Sequence, residues 1–590
     1  MKRVTPLLVA AATFIALGGG SWAQDETSGA KPTVAIGPFT TENPSIEYQA
    51  VALALEDSLA MKLRYSRLCY TVDLSDFRER ARTKSLPLGS PEDVRTAMVQ
   101  LDIPCALIGT VSNQGGPVDA SITLLKLKDG QTSAVTTFRV PGSTSDLIGL
   151  FDAAVLQVAK ELLLVDTDGA FDRMRQADLS DSQGALMAYY TGKALLQGRS
   201  IEQCDQAAAK YQEALNIDGK FREARAGLGE VRVRKAELLK AQGDVDGCLQ
   251  ELGGASLAFA EIGESRAYAR AQARAAETYA GKGDSANEVK CYHNAIRALL
   301  ANGSPEALLE ALSAIDKIRA DRMAPESWFL LGQIYALKAP RVPRDLKPED
   351  GANPPVVKER TDYLGRAAGY LEKALELDPQ NVQFLIEIGR FYRLSDELPD
   401  SLSKSSNLLI KATALAPDSF EAWFELGETY VKLKSWDQAQ SAYQRAAQYV
   451  PEDRPALKSR VLEGVGRSHY ELGKPDEAIL VLQRSIELEP ANINAAVLLV
   501  MCYIQKGDPD GAEQELEKAL DRFPGMYAPF ELLRLRDVIE QLRKRAVDKM
   551  EAPQPHRNPD PRDKDWGGNY EKGGEPRKPG TGTGIGRPSR

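Results

Sequence analysis

WFELGETYVKLKSWDQAQSAYQRAAQYVP, running from Trp423 to Pro451, decides how most of this chain folds. Its apolar residues recur at helical spacing in two runs, with Leu433-Lys434-Ser435 between them. Trp423, Leu426 and Tyr430 share one face of a first helix, and Ala439, Tyr443 and Ala446 share one face of a second. Gly427 and Ala439 have almost no side chain, so two antiparallel helices can approach closely there. The larger side chains of Trp423, Leu426, Tyr430 and Tyr443 fill the space around that contact. Ser435 and Gln438 have the spacing of a capping box for the second helix, and Pro451 ends it. The unit is a helical hairpin.

The scheme recurs in phase. Gly466, Gly473, Ala478, Leu482 and Pro490 repeat it, and Tyr503, Gly507, Ala512, Leu516, Ala519 and Pro524 repeat it again. Upstream, Trp328, Leu331-Gly332 and Tyr335 open a unit whose second helix carries Ala367, Leu371, Ala374 and Pro379. Leu385, Gly389, Tyr392 and Pro417 mark another. Weaker units lie at Gly192 to Ala214, at Leu228-Gly229 and at Tyr279 to Ala295. The aromatic, Leu-Gly, Tyr, Ala and Pro positions resemble the tetratricopeptide repeat, a unit of about 34 residues, and about eight such units fill residues 185–535. A proline-rich, charged insertion, 339–362, interrupts the Trp328 unit and is expected to leave it as a loop. Asp244, Asp284 and Asp508 sit where second helices should start. They read as helix caps, since no EF-hand loop with its ligands and glutamate follows.

Residues 33–165 have a different rhythm. Val34 to Phe39 is a short apolar run stopped by Gly37-Pro38, a buried strand. A helix is expected over Ala50 to Leu63, a strand over Leu68 to Val72, and a helix over Pro91 to Leu101 with Ser90 as its N-cap. Cys105 to Val111 is a third strand. Val118 to Leu124 then alternates apolar and polar, Asp129-Gly130 makes a tight turn, and Ser133 to Val140 returns antiparallel. A helix from Ser145 to Leu164 closes an order βαβαβββα. With its VAIGPF opening (34–39) and DVRTAMVQLDIPCALIGTV stretch (93–111), this part resembles the TolB-like N-terminal domain of bacterial envelope proteins. The resemblance implies a binding or assembly module and brings no catalytic motif. The expected fold class is α+β and mainly α: a small mixed α/β domain ahead of a helical repeat array.

The two ends differ from the body. Lys2-Arg3, the apolar run Val4 to Leu17 and the small residues of Ser21-Trp22-Ala23 form the pattern of a cleaved secretory signal over residues 1–23. No cysteine lies near that cleavage site to take a lipid, and no transmembrane segment is expected in the mature chain. At the other end, residues 551–590 hold eight glycines and seven prolines, a composition expected to stay disordered. An exported chain meets an oxidising compartment, yet six cysteines in 590 residues form no CxxC or metal-ligand spacing. They read as buried single thiols, a disulfide involving Cys69 or Cys105 being the alternative.

A net charge of −9, from 74 basic and 83 acidic residues, argues against nucleic acid as a partner. Three histidines leave little room for imidazole chemistry, and no Walker A, HExxH, GxSxG or Rossmann string occurs in a supporting context. No catalytic residue, cofactor or metal site is therefore expected, and an enzyme is the remote alternative. The tetratricopeptide resemblance implies a concave groove lined by the first helices of the units, a place to hold a peptide. Repeat phase assigns Phe329, Gln333, Arg390, Arg393, Phe424, Glu428, Arg467, Tyr470 and Met501 to that groove. The expectation is a non-catalytic interaction scaffold of the bacterial cell envelope, most simply periplasmic. It would hold a partner polypeptide in the groove and dock a second time through the α/β domain. The alternative is an envelope-attachment or ligand-binding protein associated with peptidoglycan or the outer membrane.

Overall fold

A computed structural model describes residues 31–112, 118–128, 131–162, 164, 169–340, 355–522 and 530–551. The expected secretory signal, the Asp129-Gly130 turn, most of the expected insertion and nearly all of the expected tail lie outside the described residues.

The first element, β1 (Thr33–Thr41), runs parallel to β2 (Tyr70–Val72) on one side and to β3 (Cys105–Ser112) on the other. From β3 the sheet continues antiparallel through β4 (Val118–Lys128) and β5 (Gln131–Gly142), giving the order β2-β1-β3-β4-β5. Alternate residues face opposite sides of a strand, and both sides of the parallel part are covered. Val34, Ile36, Leu107 and Ile122 pack under α1 (Ile46–Ser66) and α4 (Leu147–Glu161). Ala35, Ala106 and Ile108 pack under α2 (Leu74–Thr83) and α3 (Pro91–Leu101). A capping box starts α3, in which Ser90 and Asp93 each accept the other's backbone N–H. The expected order lacked α2. That helix buries only Leu74, Phe77 and Ala81 in an otherwise charged segment, so its apolar stripe is thin.

Cys69 and Cys105 are both buried free thiols. Cys105 sits on β3 and Cys69 just ahead of β2, with β1 between those strands. Burial pushes both thiols up, Cys105 to about 11, which leaves them poorly reactive.

The core of the α/β domain is shared with the helices that follow it. It runs on through Met174 of α5 (Ala170–Gln176) and Leu186 and Tyr190 of α6 (Gln183–Leu195) to Tyr211 of α7 (Ile201–Ile217) and Val231 of α8 (Arg222–Ala241). Lys62, fully buried on α1, ties the junction together. Its Nζ lies 2.9 Å from Asp152 of α4, 2.9 Å from Asp178, and 3.1 Å from the Met174 carbonyl oxygen. The boundary expected between 165 and 185 is thus not a break in packing.

Helices then pair as antiparallel hairpins. In the unit up to Leu415 the pairs are α6/α7, α8/α9 (α9, Val245–Glu261), α10/α11 (Ser265–Lys282, Ser285–Asn302), α13/α14 (Pro325–Lys338, Pro355–Leu377) and α15/α16 (Val382–Leu394, Ser401–Leu415). In the unit from Ala416 they are α17/α18 (Phe420–Lys432, Trp436–Tyr449), α19/α20 (Pro455–Glu471, Pro475–Leu488) and α21/α22 (Ile493–Lys506, Pro509–Arg522). The fold is α+β, mainly α, with tetratricopeptide-like hairpins.

The close approach at Gly427 is real: an added Cβ would lie 2.8 Å from the Tyr443 ring, which is itself fully buried. Asp244, Asp284 and Asp508 each accept a backbone N–H three residues on, as N-caps do. Ser435 does not. Its side chain makes no cap hydrogen bond, although its backbone enters the helix at φ -91°, close to the capping Asp244 and Asp284.

Three differences from the expected repeat pattern remain. A twelve-residue helix, α12 (Pro305–Asp316), stands alone between α11 and α13, capped by Ser304. Its apolar stripe is helical but lacks the aromatic and glycine marks of a repeat. The insertion is shorter than expected, since residues 355–362 already belong to α14. The array also continues past 535: α23 (Phe530–Glu551) buries Leu532 and Ile539, and its Arg543 pairs with Asp510 and Glu513 of α22.

Candidate functional site

Within the unit up to Leu415, a cleft of about 300 Å³ opens between α13 and α15. Its floor is Phe329 from α13 and Leu371 from α14, with Leu300 of α11 at one end. Gly332 makes the floor possible, because an added Cβ would lie 2.6 Å from Leu371 Cγ. The rims are Leu337 and Leu394, the last turns of α13 and α15, which are 54% and 55% exposed. Gln333, Glu387 and Arg390 supply the polar groups of the wall. Arg390 Nη1 donates to both carboxylate oxygens of Glu387 at 3.0 Å, so these charges satisfy each other within the wall. The volume is at the small end of the roughly 300–1,000 Å³ of small-molecule sites. Such a shape suits one or two apolar side chains, with Gln333 available to a peptide backbone.

The nine groove residues expected from repeat phase divide between the two units. Phe329, Gln333 and Arg390 come together in this cleft; Arg393, half-buried on α15, is not in its lining. Phe329 is only 6% exposed and stacks on Phe384 with ring centroids 4.5 Å apart, so it serves as floor and not as a free contact.

In the unit from Ala416, Phe424 is 9% exposed, packed between Phe420 and Tyr443 with the Arg460 guanidinium 5.1 Å from its ring centre. That removes Phe424 from the surface: the fifth position of this helix turns inward toward the neighbouring hairpin. Glu428 accepts the Tyr443 hydroxyl at 2.7 Å, and Arg467 lies 3.5 Å from Glu463. Tyr470 and Met501 are half-buried.

Leu337, Leu394, Leu371, Phe391 and Leu300 were not anticipated as cleft residues. A signal existed for two of them. Leu337 and Leu394 each lie four residues beyond an expected groove residue, Gln333 and Arg390, one turn further along the same face.

Among the described residues, no group of three His, Cys, Asp or Glu could hold a metal ion, and no helix is long and apolar enough to cross a membrane. His293 is buried with its Nε2 2.8 Å from Ser327 Oγ, and desolvation lowers it to about 4. Ser327 is itself fully buried, so this pair faces no substrate.

Two tetratricopeptide-repeat family models match the chain, over residues 418–491 and 469–529. These residues are tetratricopeptide repeats, and neither family is a catalytic one. The protein CTR9 homolog of Arabidopsis thaliana is 24% identical over 168 residues, which is 28% of this chain; the chain spans only 14% of that relative's length. Among solved structures, MamA is 26% identical with a TM-score of 0.25, over 28% of this chain and 92% of that one. YrrB, described as a tetratricopeptide protein with an unusual peptide-binding site, is 22% identical with a TM-score of 0.26, over 30% of this chain and 85% of that one.

Proposed function

We propose that this chain is an exported, non-catalytic scaffold of the bacterial cell envelope that holds a partner polypeptide on the first-helix face of its repeats. One observation carries the reading: two half-exposed leucines, Leu337 and Leu394, stand over an apolar floor with a polar wall already neutralised. Exposed leucines arranged around a cavity are stabilised when an apolar side chain fills it, and Gln333 can meet the accompanying backbone. Tetratricopeptide repeats are interaction modules, which supports a protein as the ligand. The α/β domain, resembling the TolB-like module, would serve as a second docking surface. The charged, apolar and small residues of 1–23 support export, with the periplasm as destination.

The test is selection of extended peptides from a display library on the purified chain, followed by affinity measurement. Selected peptides should share a large apolar anchor. Leu337→Asp, at an exposed position, should weaken them roughly tenfold or more, since burying such a side chain contributes about 1.5–3 kcal/mol. Selected peptides without an apolar anchor, or affinity unchanged in Leu337→Asp, would sink the proposal. Export is tested separately by fusing residues 1–30 to a reporter that is active only outside the cytoplasm. An inactive fusion removes the periplasmic assignment.

A further inference from the structure

The position of the Leu337–Leu394 cleft recurs near the start of the repeats. Gly192 meets Tyr211 as Gly332 meets Leu371, and Gly229 meets Phe259 as Gly389 meets Leu409. On that alignment Tyr189, Lys193, Tyr211 and Glu230 stand where Phe329, Gln333, Leu371 and Arg390 stand. A cleft of about 310 Å³ opens here too, between α6 and α8, with Glu223 and Gly227 also in its wall.

The same geometry carries opposite chemistry. The floor is two tyrosine rings, Tyr189 and Tyr211, with centroids 5.7 Å apart. Neither Glu223 nor Glu230 has an ion-pair partner among the described residues, and the nearest lining cation, Lys193, is bound to Asp57 of α1. Tyr211 is 1% exposed, borders the cleft, and its hydroxyl has no hydrogen-bond partner among the described residues. The corresponding tyrosine of the Trp423 hairpin, Tyr443, donates to Glu428 at 2.7 Å. Lys193 occupies the place of that glutamate and is paired with Asp57 instead, so the phenol oxygen, which is not itself buried, lacks the acceptor that Tyr443 has. An unpartnered phenol oxygen, two carboxylates without an ion pair and the partly exposed Tyr189 ring meet only one cation in the wall, Lys193, which is already paired with Asp57.

We propose that this cleft receives a basic side chain, arginine or lysine, of the partner polypeptide. The inference rests on the peptide-groove reading above and sharpens it: the partner carries a basic residue for this end of the array and an apolar anchor for the Leu337–Leu394 cleft.

The experiment uses the full chain and two blocked tripeptides, acetyl-Gly-Arg-Gly-amide and its citrulline counterpart, which keeps the shape and loses the charge. Binding is followed by ligand-observed NMR. The arginine peptide should bind at least about fivefold more tightly than the citrulline peptide, the margin expected of a cation against carboxylates and aromatic faces. That margin should vanish in Glu223→Gln/Glu230→Gln and shrink in Tyr211→Phe. It should survive in Leu337→Asp, so failure of the apolar cleft and failure of this one give different results. Equal binding of the two tripeptides, or a margin untouched by the double charge variant, overturns the proposal. Putrescine displacing the arginine peptide at equal concentration would assign the cleft to small amines and overturn it as well.

Discussion

Lys62→Met removes the cation that neutralises two carboxylates at the junction of the α/β domain with the repeats, and its cost can be worked from the geometry. Lys62 is fully buried, and its Nζ contacts Asp152, Asp178 and the Met174 carbonyl at 2.9, 2.9 and 3.1 Å. All three are oxygen acceptors, as an ammonium group requires. Without the cation, Asp178, nearly buried, keeps its charge unpaired, while Asp152 is about a quarter exposed and reaches water. Breaking a buried pair by removing one partner costs about 3–5 kcal/mol, and the exposure of Asp152 places this case near the lower figure, about 3 kcal/mol.

The sign of its pH dependence follows. Desolvation already raises Asp178, with Lys62 acting against it. In Lys62→Met the carboxyl rises further, so the deficit is present at neutral pH and fades as pH falls toward the unfolded value near 4. Urea unfolding followed by far-UV circular dichroism at pH 7 and pH 4.5 measures both. Hydrogen exchange of 147–161 and 170–176 locates the loss. Lys62→Met/Asp152→Asn/Asp178→Asn should return to within about 1 kcal/mol of the parent, because no charge is then left unpaired. A single variant as stable as the parent at pH 7, or a deficit that grows toward pH 4.5, refutes the reasoning.

Other perturbations have equally definite outcomes. Gly427→Ala, which in an exposed helix would stabilise by about 1 kcal/mol, should instead lower stability by about 1–3 kcal/mol, because its Cβ would meet the buried Tyr443 ring; urea midpoints decide the sign. His293 stays neutral in the fold, lowered to about 4 by desolvation, with Glu326 opposing and Arg297 reinforcing. Its stabilisation is complete above pH 6.5 and is lost as pH falls to about 4, by about 3 kcal/mol in all; His293→Asn should flatten that limb of the stability profile. Glu56 has the opposite slope. Burial raises it to about 7 while the Phe39 N–H it accepts at 3.2 Å works against that rise. Its contribution is complete below pH 4.5 and declines as pH rises through 7, so Glu56→Gln should stabilise the chain at pH 8 by up to about 3 kcal/mol and leave it unchanged near pH 4.5.

The repeats were legible because close helix packing restricts residue type. Gly427 cannot carry a Cβ against Tyr443, and Trp423, Leu426 and Tyr430 must fill what the glycine leaves open, so spacing alone marks the hairpin. The strands of the α/β domain were legible where both faces are buried, as at Val34 to Ile36, where no polar residue is tolerated. Elements held by polar contacts left no such mark. The α2 helix buries three apolar side chains among charges, α12 follows no repeat spacing, and the Lys62 junction joins residues 90 and 116 positions apart. The candidate cleft was half legible. Gln333 and Arg390 follow from repeat phase, but the rims need the last helical turn, where Leu337 and Leu394 resemble ordinary surface leucines until the tertiary structure sets them across a cavity. Phe424 failed for a related reason: phase gives the direction of a side chain, and only the neighbouring hairpin decides whether that direction is solvent or core.

Photo-crosslinking tests the central claim most directly. A benzophenone amino acid placed at Leu337 in the full chain, in its native host, lies over the apolar cleft; the same group at Leu480, 70% exposed on α20, lies away from any proposed site. The peptide-groove account predicts a discrete polypeptide adduct from position 337 that is absent from position 480 and lost when Leu394→Asp is added. No adduct at 337, or the same adducts from both positions, would contradict it.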